Sequence, residues 1–356
     1  MQEKDLYILK IGTNTLVDDK GAVRDELMSE ILKSAKKIME GGHYVLIVSS
    51  GAARLGRIYL KDEKVSTKIA SSVGQPLLFN HYMQSANKLG VTIAEILLTK
   101  PYIAKREQFL NLQETFNEMF ERGILPIVNE NDVLVFGSSW SFDGNDPLAC
   151  DLAISLGAKK LFLITNTDGL YTGDPSSNPL AKFIPEVENI TEEIFQYCSR
   201  DIAENSTGGM LSKLKVARIA SVIGIETRIV NGLVAGNIDK ALAGDEIGTL
   251  FHARKIDDKV SNRDRWILVA KNSAGSIEVD DGAVKALKSG MSLLAVGVKR
   301  IFGKFQKGQV IEVIDKNSQG IAFGIVDYSH DEILELIGSS DIKDKQLIHT
   351  DNMFIL

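Results

Sequence analysis

The chain has 356 residues, a formal net charge of −6 at pH 7 and a hydrophobic content of 44%. That length is sufficient for two domains with separate cores. The negative charge argues against a general affinity for nucleic acid or for an anionic membrane surface. The two cysteines form neither a disulfide framework nor a zinc pattern, and we find no signal-peptide h-region and no apolar run near the ~20 residues of a membrane span. We therefore expect a cytoplasmic protein with no membrane segment.

Strands and helices alternate over about the first 250 residues. The apolar run 6–11 predicts a buried strand, and the helical spacing of apolar residues from Leu27 to Met39 predicts a helix that ends at Gly41. This alternation predicts a mainly parallel sheet covered by helices on both faces, an α/β sandwich. The other expected strands are 44–48, 91–98, 124–128, 161–165 and 227–230, and the other expected helices are 69–89, 109–120, 147–156 and 210–223.

Residues 133–142 interrupt this alternation. They contain Gly137-Ser138-Ser139 between apolar residues and are followed by Asp143-Gly144-Asn145-Asp146. The pattern predicts a hairpin inserted before the helix at 147–156.

The sequence changes character after about residue 254. A charged link is followed by short alternating runs punctuated by glycine, which is typical of a small β-rich domain with brief helices. We therefore predict two domains, 1–255 and 263–356. The expected strand-like runs of the second are 266–269, 276–279, 309–314 and 321–326.

The stretch Ser206 to Lys213 combines small hydroxyl residues, two glycines and the start of a helix. Glycine allows a ligand to approach the backbone, and a helix start presents free N–H groups, so the stretch suits a phosphate group. An ordinary capped helix start is the alternative. No Walker A loop and no G-x-G-x-x-G fingerprint occur, so any nucleotide would be bound by another device.

Polar residues also follow the predicted strands, at Lys10 to Thr13, Ser49 to Gly51, Asn129 to Asp132 and Thr165-Asn166. In parallel sheets, ligands bind at the carboxyl ends of the strands. Lysines, hydroxyls, amides and carboxylates in that position suit phosphoryl transfer, which depends on positioning and charge neutralisation. A lysine in a buried strand, such as Lys10, needs an anionic partner; the alternative is a strand-edge lysine that reaches solvent.

Taken in order, these motifs resemble the glutamate 5-kinases of the amino acid kinase family. The resemblance covers nearly the whole chain, and the tail from Arg265-Trp266 to Asp351 resembles a PUA domain. The motifs are Lys10-Ile11-Gly12-Thr13, Ser49-Ser50-Gly51-Ala52, Val73-Gly74-Gln75, Ile127 to Asp132, Gly169-Leu170-Tyr171-Thr172 through Asp174-Pro175, and Thr207 to Lys213.

The resemblance implies transfer of the γ-phosphoryl group of ATP to the side-chain carboxylate of L-glutamate, the first step of proline biosynthesis. It implies Mg²⁺ on the phosphates, a homo-oligomer and possible feedback inhibition by proline; we assign no metal ligand in the chain. The implied catalytic residues are Lys10, Lys213 and Asp146, with Asp146 orienting the lysines. The implied glutamate contacts are Ser50, Asp132 and Asn145, and the implied ATP contacts are Lys10, Thr165, Asn166, Thr207, Gly208, Gly209, Met210, Leu211, Ser212 and Lys213.

The chain departs from the family pattern at four places. Asp143-Gly144 replaces the usual Gly-Asp, and Thr165-Asn166 replaces the usual Thr-Asp. Ser206 and Ser212 stand where glycine and threonine are usual.

Two alternatives remain open at this point. One is a sister kinase that phosphorylates another small carboxylate, although a PUA-like tail is unusual among those enzymes. The other is RNA binding through the tail, but residues 263–356 contain 12 Lys and Arg against 13 Asp and Glu, which is not the basic surface that RNA binding favours.

Overall fold

A computed structural model describes residues 4–137, 141–198, 209–255, 260–270, 275–337 and 345–356. Backbone contacts divide the chain into two compact units. The first comprises Met1–Lys100 and Asn111–Asp257, and the second comprises Pro101–Leu110 and Asp258–Leu356. The short segment 101–110 therefore groups with the C-terminal part of the chain, which the expected division at residues 255–263 did not include.

Residues 6–251 alternate strands with helices, as the apolar pattern predicts. The strands are β1 (Leu6–Ile11), β2 (Tyr44–Val48), β3 (Ile93–Leu98), β4 (Leu125–Glu130), β5 (Lys160–Thr165), β6 (Leu170–Tyr171), β7 (Phe183–Ile184), β8 (Glu186–Val187), β9 (Glu226–Asn231) and β10 (Thr249–Phe251). The helices are α1 (Thr13–Leu16), α2 (Asp25–Glu40), α3 (Ala52–Leu60), α4 (Thr67–Leu89), α5 (Lys100–Ala104), α6 (Arg106–Glu121), α7 (Asn145–Leu156), α8 (Glu192–Gln196), α9 (Met210–Val222) and α10 (Asn237–Ala243).

The first unit is built on an eight-stranded sheet with the order β3-β4-β2-β1-β5-β9-β10-β8. Its neighbours pair in parallel except β10 and β9, which are antiparallel. The central strands β1, β2 and β5 are almost entirely buried. The expected parallel α/β sheet is therefore confirmed, and the polar residues after β1, β2, β4 and β5 lie at one edge of it.

Two glycines allow helices α3 and α4 to pack closely. A β-carbon at Gly74 would lie 1.8 Å from the carbonyl oxygen of Ala52, and one at Gly56 would lie 1.8 Å from that of Ala70. Because these contacts are to backbone atoms, no side chain can move aside. The glycine in the Val73-Gly74-Gln75 motif therefore serves helix packing and leaves Gln75 free to face the strands.

The predicted hairpin over 133–142 is wrong for the residues that the structure describes. Residues 132–134 form a turn, in which the Leu134 N–H donates to the carbonyl oxygen of Asn131, and no strand occurs in 133–137 or 141–142. Residues 138–140 lie outside the described part of the chain. The backbone at Phe142 is bonded to a side chain, that of Glu130, and so needs no strand partner.

The second unit is rich in strands. They are β11 (Gly275–Val279), β12 (Leu293–Leu294), β13 (Val298–Gly303), β14 (Val310–Ile314), β15 (Gly320–Ile325), β16 (Gln346–Ile348) and β17 (Met353–Ile355), and the helices are α11 (Asn262–Ala270), α12 (Asp281–Lys288) and α13 (His330–Ile337). The strands form a five-stranded sheet with the order β13-β11-β14-β15-β17 and a two-stranded sheet of β12 and β16. This confirms a β-rich C-terminal domain, whose core includes Ile277, Val313, Ala322 and Ile348.

The strand expected at 266–269 is wrong, because these residues belong to helix α11. The side chains of Ser261 and Asp264 each accept a hydrogen bond from the other residue's backbone N–H, at 3.1 and 3.0 Å. This reciprocal cap starts a helix and outweighs the strand preference of the apolar run that follows. None of the described helices is long and apolar enough to cross a membrane.

Candidate active site

Two buried lysines share one buried carboxylate at the edge of the large sheet. The Nζ of Lys10 lies 2.5 Å from Oδ1 of Asp146, and the Nζ of Lys213 lies 3.1 Å from Oδ2 of the same residue. Asp146 is fully buried, and each lysine is 5% exposed. Lys10 is therefore not a strand-edge lysine that reaches solvent; its anionic partner within the chain is Asp146.

The charges of this cluster do not cancel. Burial alone raises the pKa of Asp146, but the two neighbouring ammonium groups outweigh it and lower the pKa below the ordinary value. Burial is also the main reason that the pKa of Lys10 is lowered; Asp146 opposes this effect and Lys213 adds to it. One ionised carboxylate between two ammonium groups leaves an excess positive charge where water cannot screen it, which favours an anionic ligand.

Three elements bring the cluster together. Lys10 lies near the end of β1, Asp146 in the first turn of α7 and Lys213 in the first turn of α9, and α7 packs against both β1 and α9. The helix α7 starts two residues earlier than expected, at Asn145, so that both Asn145 and Asp146 lie in its first turn. The residue at the N-cap, Gly144, has φ 113° and ψ 172°, a conformation that only glycine adopts readily.

The side-chain amide of Asn145 joins this cluster to the end of β2. Its Nδ2 donates to the carbonyl oxygen of Ser49 at 2.5 Å and to Oγ of Ser50 at 2.9 Å. It also lies 2.9 Å from Oδ1 of Asn129. Nδ2 of Asn129 in turn donates to Oε1 of Gln75 at 2.8 Å. The structure thus brings together Ser50 and Asn145, two of the three expected glutamate contacts.

The third expected glutamate contact, Asp132, has a different partner. Its Oδ2 accepts a hydrogen bond from the hydroxyl of Ser71 on α4, and burial is the main cause of the raised pKa of its carboxyl group. It lies in the turn after β4, so it faces the same edge of the sheet without bonding to Asn145 or Ser50.

The expected ATP contacts are divided between the end of β5 and the start of α9. Thr165 is buried and Asn166 is exposed. Gly209 caps α9 without a side-chain hydrogen bond, and Met210, Leu211 and Ser212 form the first turn with Lys213. Thr207 and Gly208, like Ser206, lie outside the described residues.

Two residues of this edge were missed as site residues. Asn129 and Glu130 are among the polar residues expected to follow a strand that ends at residue 128, but β4 continues through both because it pairs with β3, Leu97 with Asn129 and Leu98 with Glu130. The signal was present in Asn129-Glu130-Asn131-Asp132, which follows an apolar strand without any glycine or proline to end it. Burial is the main cause of the raised pKa of Glu130.

Glu186, Glu188 and His252 form the one cluster in the described ranges whose spacing could suit a metal ion. Nε2 of His252 contacts the carboxylate of Glu186 and lies 3.6 Å from Oε1 of Glu188. Both glutamates are exposed, and β8, which carries Glu186, is the last strand of the sheet. The cluster is therefore separate from the Lys10–Asp146–Lys213 cluster.

The chain is similar to known proteins along nearly its whole length. The model of the amino acid kinase family matches residues 5–231, and the model of the PUA domain matches residues 275–347. The chain is 35% identical to a glutamate 5-kinase of Pelagibacter ubique, with 99% of each chain covered. It is also 35% identical to a glutamate 5-kinase of Proteus mirabilis, with 100% of each covered, and 36% identical to one of Gloeobacter violaceus, with 93% of this chain and 91% of the relative covered.

Proposed function

The chain belongs to the amino acid kinase family, and on that premise we propose that it phosphorylates the side-chain carboxylate of L-glutamate with ATP. The product is L-glutamyl 5-phosphate, which begins proline biosynthesis. Similarity along the full length to relatives named glutamate 5-kinase favours this substrate over another small carboxylate.

The observation that carries this proposal is the buried pair of lysines on one carboxylate. A side-chain carboxylate with a pKa near 4.3 is ionised at neutral pH, so the acceptor needs no general base. The obstacle is the repulsion between this anion and the anionic γ-phosphate. The excess charge of Lys10 and Lys213 opposes that repulsion, and it does so most strongly when charge builds up on the transferred group.

In this proposal Asp146 keeps both ammonium groups in place. Asn145 and Ser50, which are hydrogen-bonded to each other, bind the glutamate together with Asp132. The first turn of α9 and the end of β5 bind the nucleotide. No covalent intermediate with the enzyme is needed, because the acceptor oxygen itself attacks the phosphorus.

Mg²⁺ usually takes one or two protein carboxylates and completes its ligand set with phosphates and water. Both oxygens of Asp146 face ammonium groups, so Asp146 does not fit such a role. Asp168 and Asn166, which follow β5, are exposed and offer oxygen atoms at this edge. Bound there with ATP, the ion would supply further charge neutralisation on the phosphates.

The direct test is hydroxamate formation from glutamate, ATP, Mg²⁺ and hydroxylamine. We expect the wild-type protein to be active and Lys213→Ala to lose about 10²- to 10³-fold in kcat, since the ammonium group stabilises the transition state more than the bound substrates. Thermal unfolding of the variant serves as the folding control. An unchanged kcat would remove Lys213 from the mechanism.

The substrate is tested by replacing glutamate in the same assay. Aspartate and N-acetylglutamate are the controls, and activity with either of them but not with glutamate would assign the protein to a sister kinase.

Addition of proline to the glutamate assay tests feedback inhibition, and light scattering during size-exclusion chromatography tests the homo-oligomer. Both properties, like a cytoplasmic location, remain predictions.

A further inference from the structure

The carboxylate of Glu130 holds the segment that leads into the active-site helix. Glu130 is the last residue of β4, and its Oε1 accepts a hydrogen bond from the backbone N–H of Phe142 at 2.8 Å. Its Oε2 lies 3.4 Å from the hydroxyl of Ser141. A single side chain therefore fixes two successive residues that lie eleven and twelve positions further along the chain.

Phe142 is held from its other side as well. It is 3% exposed, and the ammonium group of Lys100 lies 5.5 Å from the centre of its ring. Lys100 also pairs with the buried carboxylate of Asp151 on α7. The ring of Phe142 thus lies beside the ammonium group that is paired with α7. The backbone of Phe142 is bonded to β4 through Glu130.

Only two residues separate Phe142 from the catalytic turn. Asp143 has φ 60° and Gly144 has φ 113°, so the backbone reverses sharply before Asn145 and Asp146. A positive φ at a non-glycine residue costs free energy and persists where the surrounding contacts enforce it. On the N-terminal side of this turn the Asp143 N–H donates to Oγ of Ser141 at 3.0 Å, and Ser141 and Phe142 in turn both contact the carboxylate of Glu130.

We propose that Glu130 is a positioning residue for phosphoryl transfer, because its bond to the Phe142 N–H sets the direction in which α7 begins. Through that turn it places Asn145 against Ser50, and Asp146 between Lys10 and Lys213. Glu130 does not itself touch the reacting groups in this proposal. The inference rests on the proposed kinase function.

Three variants of Glu130 distinguish the effect of side-chain length from the effect of the carboxylate charge. Glu130→Ala removes the acceptor, Glu130→Gln keeps an oxygen of the same reach without the charge, and Glu130→Asp keeps the charge but withdraws it by one methylene. The matched control is Glu332→Ala in the second unit. The carboxylate of Glu332 also accepts bonds from a backbone N–H and a serine hydroxyl, both of Ser329, at 2.6 and 2.9 Å.

We expect Glu130→Ala to lower kcat and to raise the KM for glutamate, so that kcat/KM for glutamate falls about 10- to 100-fold. Small misplacements of reacting groups cause losses of this size. The KM for ATP should stay within about twofold, because β5 and α9 are not held by this contact. Glu130→Gln should remain within about threefold of wild type, and Glu130→Asp should be weaker than Glu130→Gln. Glu332→Ala should match wild type.

The assay distinguishes this inference from the proposed function. A wild-type protein that makes no hydroxamate from glutamate and ATP would overturn the kinase proposal itself. An active wild type with an equally active Glu130→Ala would overturn only the positioning role, as would Glu130→Gln being no better than Glu130→Asp. If Glu130→Ala does not fold, as judged by its thermal unfolding, the Gln and Asp variants still give this comparison.

Discussion

The part of the chain that the structure describes contains two three-residue clusters of ionisable side chains, which carry excess charge of opposite sign. In one, Asp146 lies between two lysines; in the other, His252 lies between two glutamates. No residue of the first cluster is more than 5% exposed. In the second cluster the side chains of Glu186 and Glu188 are 54% and 75% exposed. Each cluster has one central side chain and two outer ones, but the two clusters differ in their exposure to solvent.

Burial decides what each cluster can do. Water and salt screen the exposed cluster, so its excess negative charge attracts little and its ion pairs contribute about 0–1 kcal/mol. The excess positive charge at Lys10 and Lys213 lies where the effective dielectric constant is lower, so an anion gains much more by approaching it. The cluster of functional interest is therefore identified by its location and not by its number of charges.

Asp146→Asn should have the largest effect, because it removes the charge of the carboxylate that both buried lysines contact. We expect kcat to fall about 10²- to 10³-fold and the protein to lose about 3–5 kcal/mol of stability. The KM for ATP should not rise, since the local positive charge increases. Steady-state kinetics and chemical denaturation check this, and a preserved kcat would contradict the role of Asp146 in holding the two lysines.

The alkaline response of Lys10 should be the next largest effect. Its pKa is lowered, chiefly by burial, so it loses its proton at a pH below the ordinary value of about 10.4. Activity should then fall up to tenfold per pH unit as the pH rises through the lowered pKa. The contribution of Lys10 to stability should rise over the same window, because the folded state releases the proton before the unfolded state does.

Lys10→Arg provides the control for that response, because arginine stays charged over this range. Its residual activity should lack the alkaline decline. A decline of the same shape in this variant would assign the titration to another group. Profiles of kcat and of thermal unfolding against pH, measured from pH 7 to 10, give both quantities.

His252→Gln should have the smallest effect. It removes the imidazole ring that contacts both glutamates, yet we expect a change in stability within about 0.5 kcal/mol and unchanged kinetics, as is usual for surface pairs. Denaturation midpoints and the hydroxamate assay check this. A loss of activity comparable to that of Asp146→Asn would show that burial is not what separates the two clusters.

Most strands of the large sheet, and the polar residues at their carboxyl ends, could be predicted from local patterns. The strands with Lys10 and Thr165 at their ends follow from apolar runs, and the edge at which they meet follows from parallel topology. The partnership of Lys10 with Asp146 and Lys213 could not be derived from spacing, because it depends on how α7 and α9 start against β1. The resemblance to a family indicated those residues instead.

The element predictions that were wrong have identifiable physical causes. The apolar run at 266–269 predicts a strand, but the reciprocal cap of Ser261 and Asp264 stabilises the start of a helix that includes these residues. The apolar run that predicts β4 ends at residue 128, but pairing with β3 extends the strand through Asn129 and Glu130. Glu186 and His252 are 66 positions apart in the sequence and meet because β8 and β10 pair, which no short pattern records.

The three charges of the buried cluster come from positions 10, 146 and 213, which are made far apart in time when the chain is synthesised. A chain that ends before α9 contains only the pair of Lys10 with Asp146, whose charges cancel. In the proposed mechanism an incomplete product should therefore have little attraction for a nucleotide, because the excess positive charge arises only when α9 docks. The proposed use of ATP in this way depends on α9 being in place.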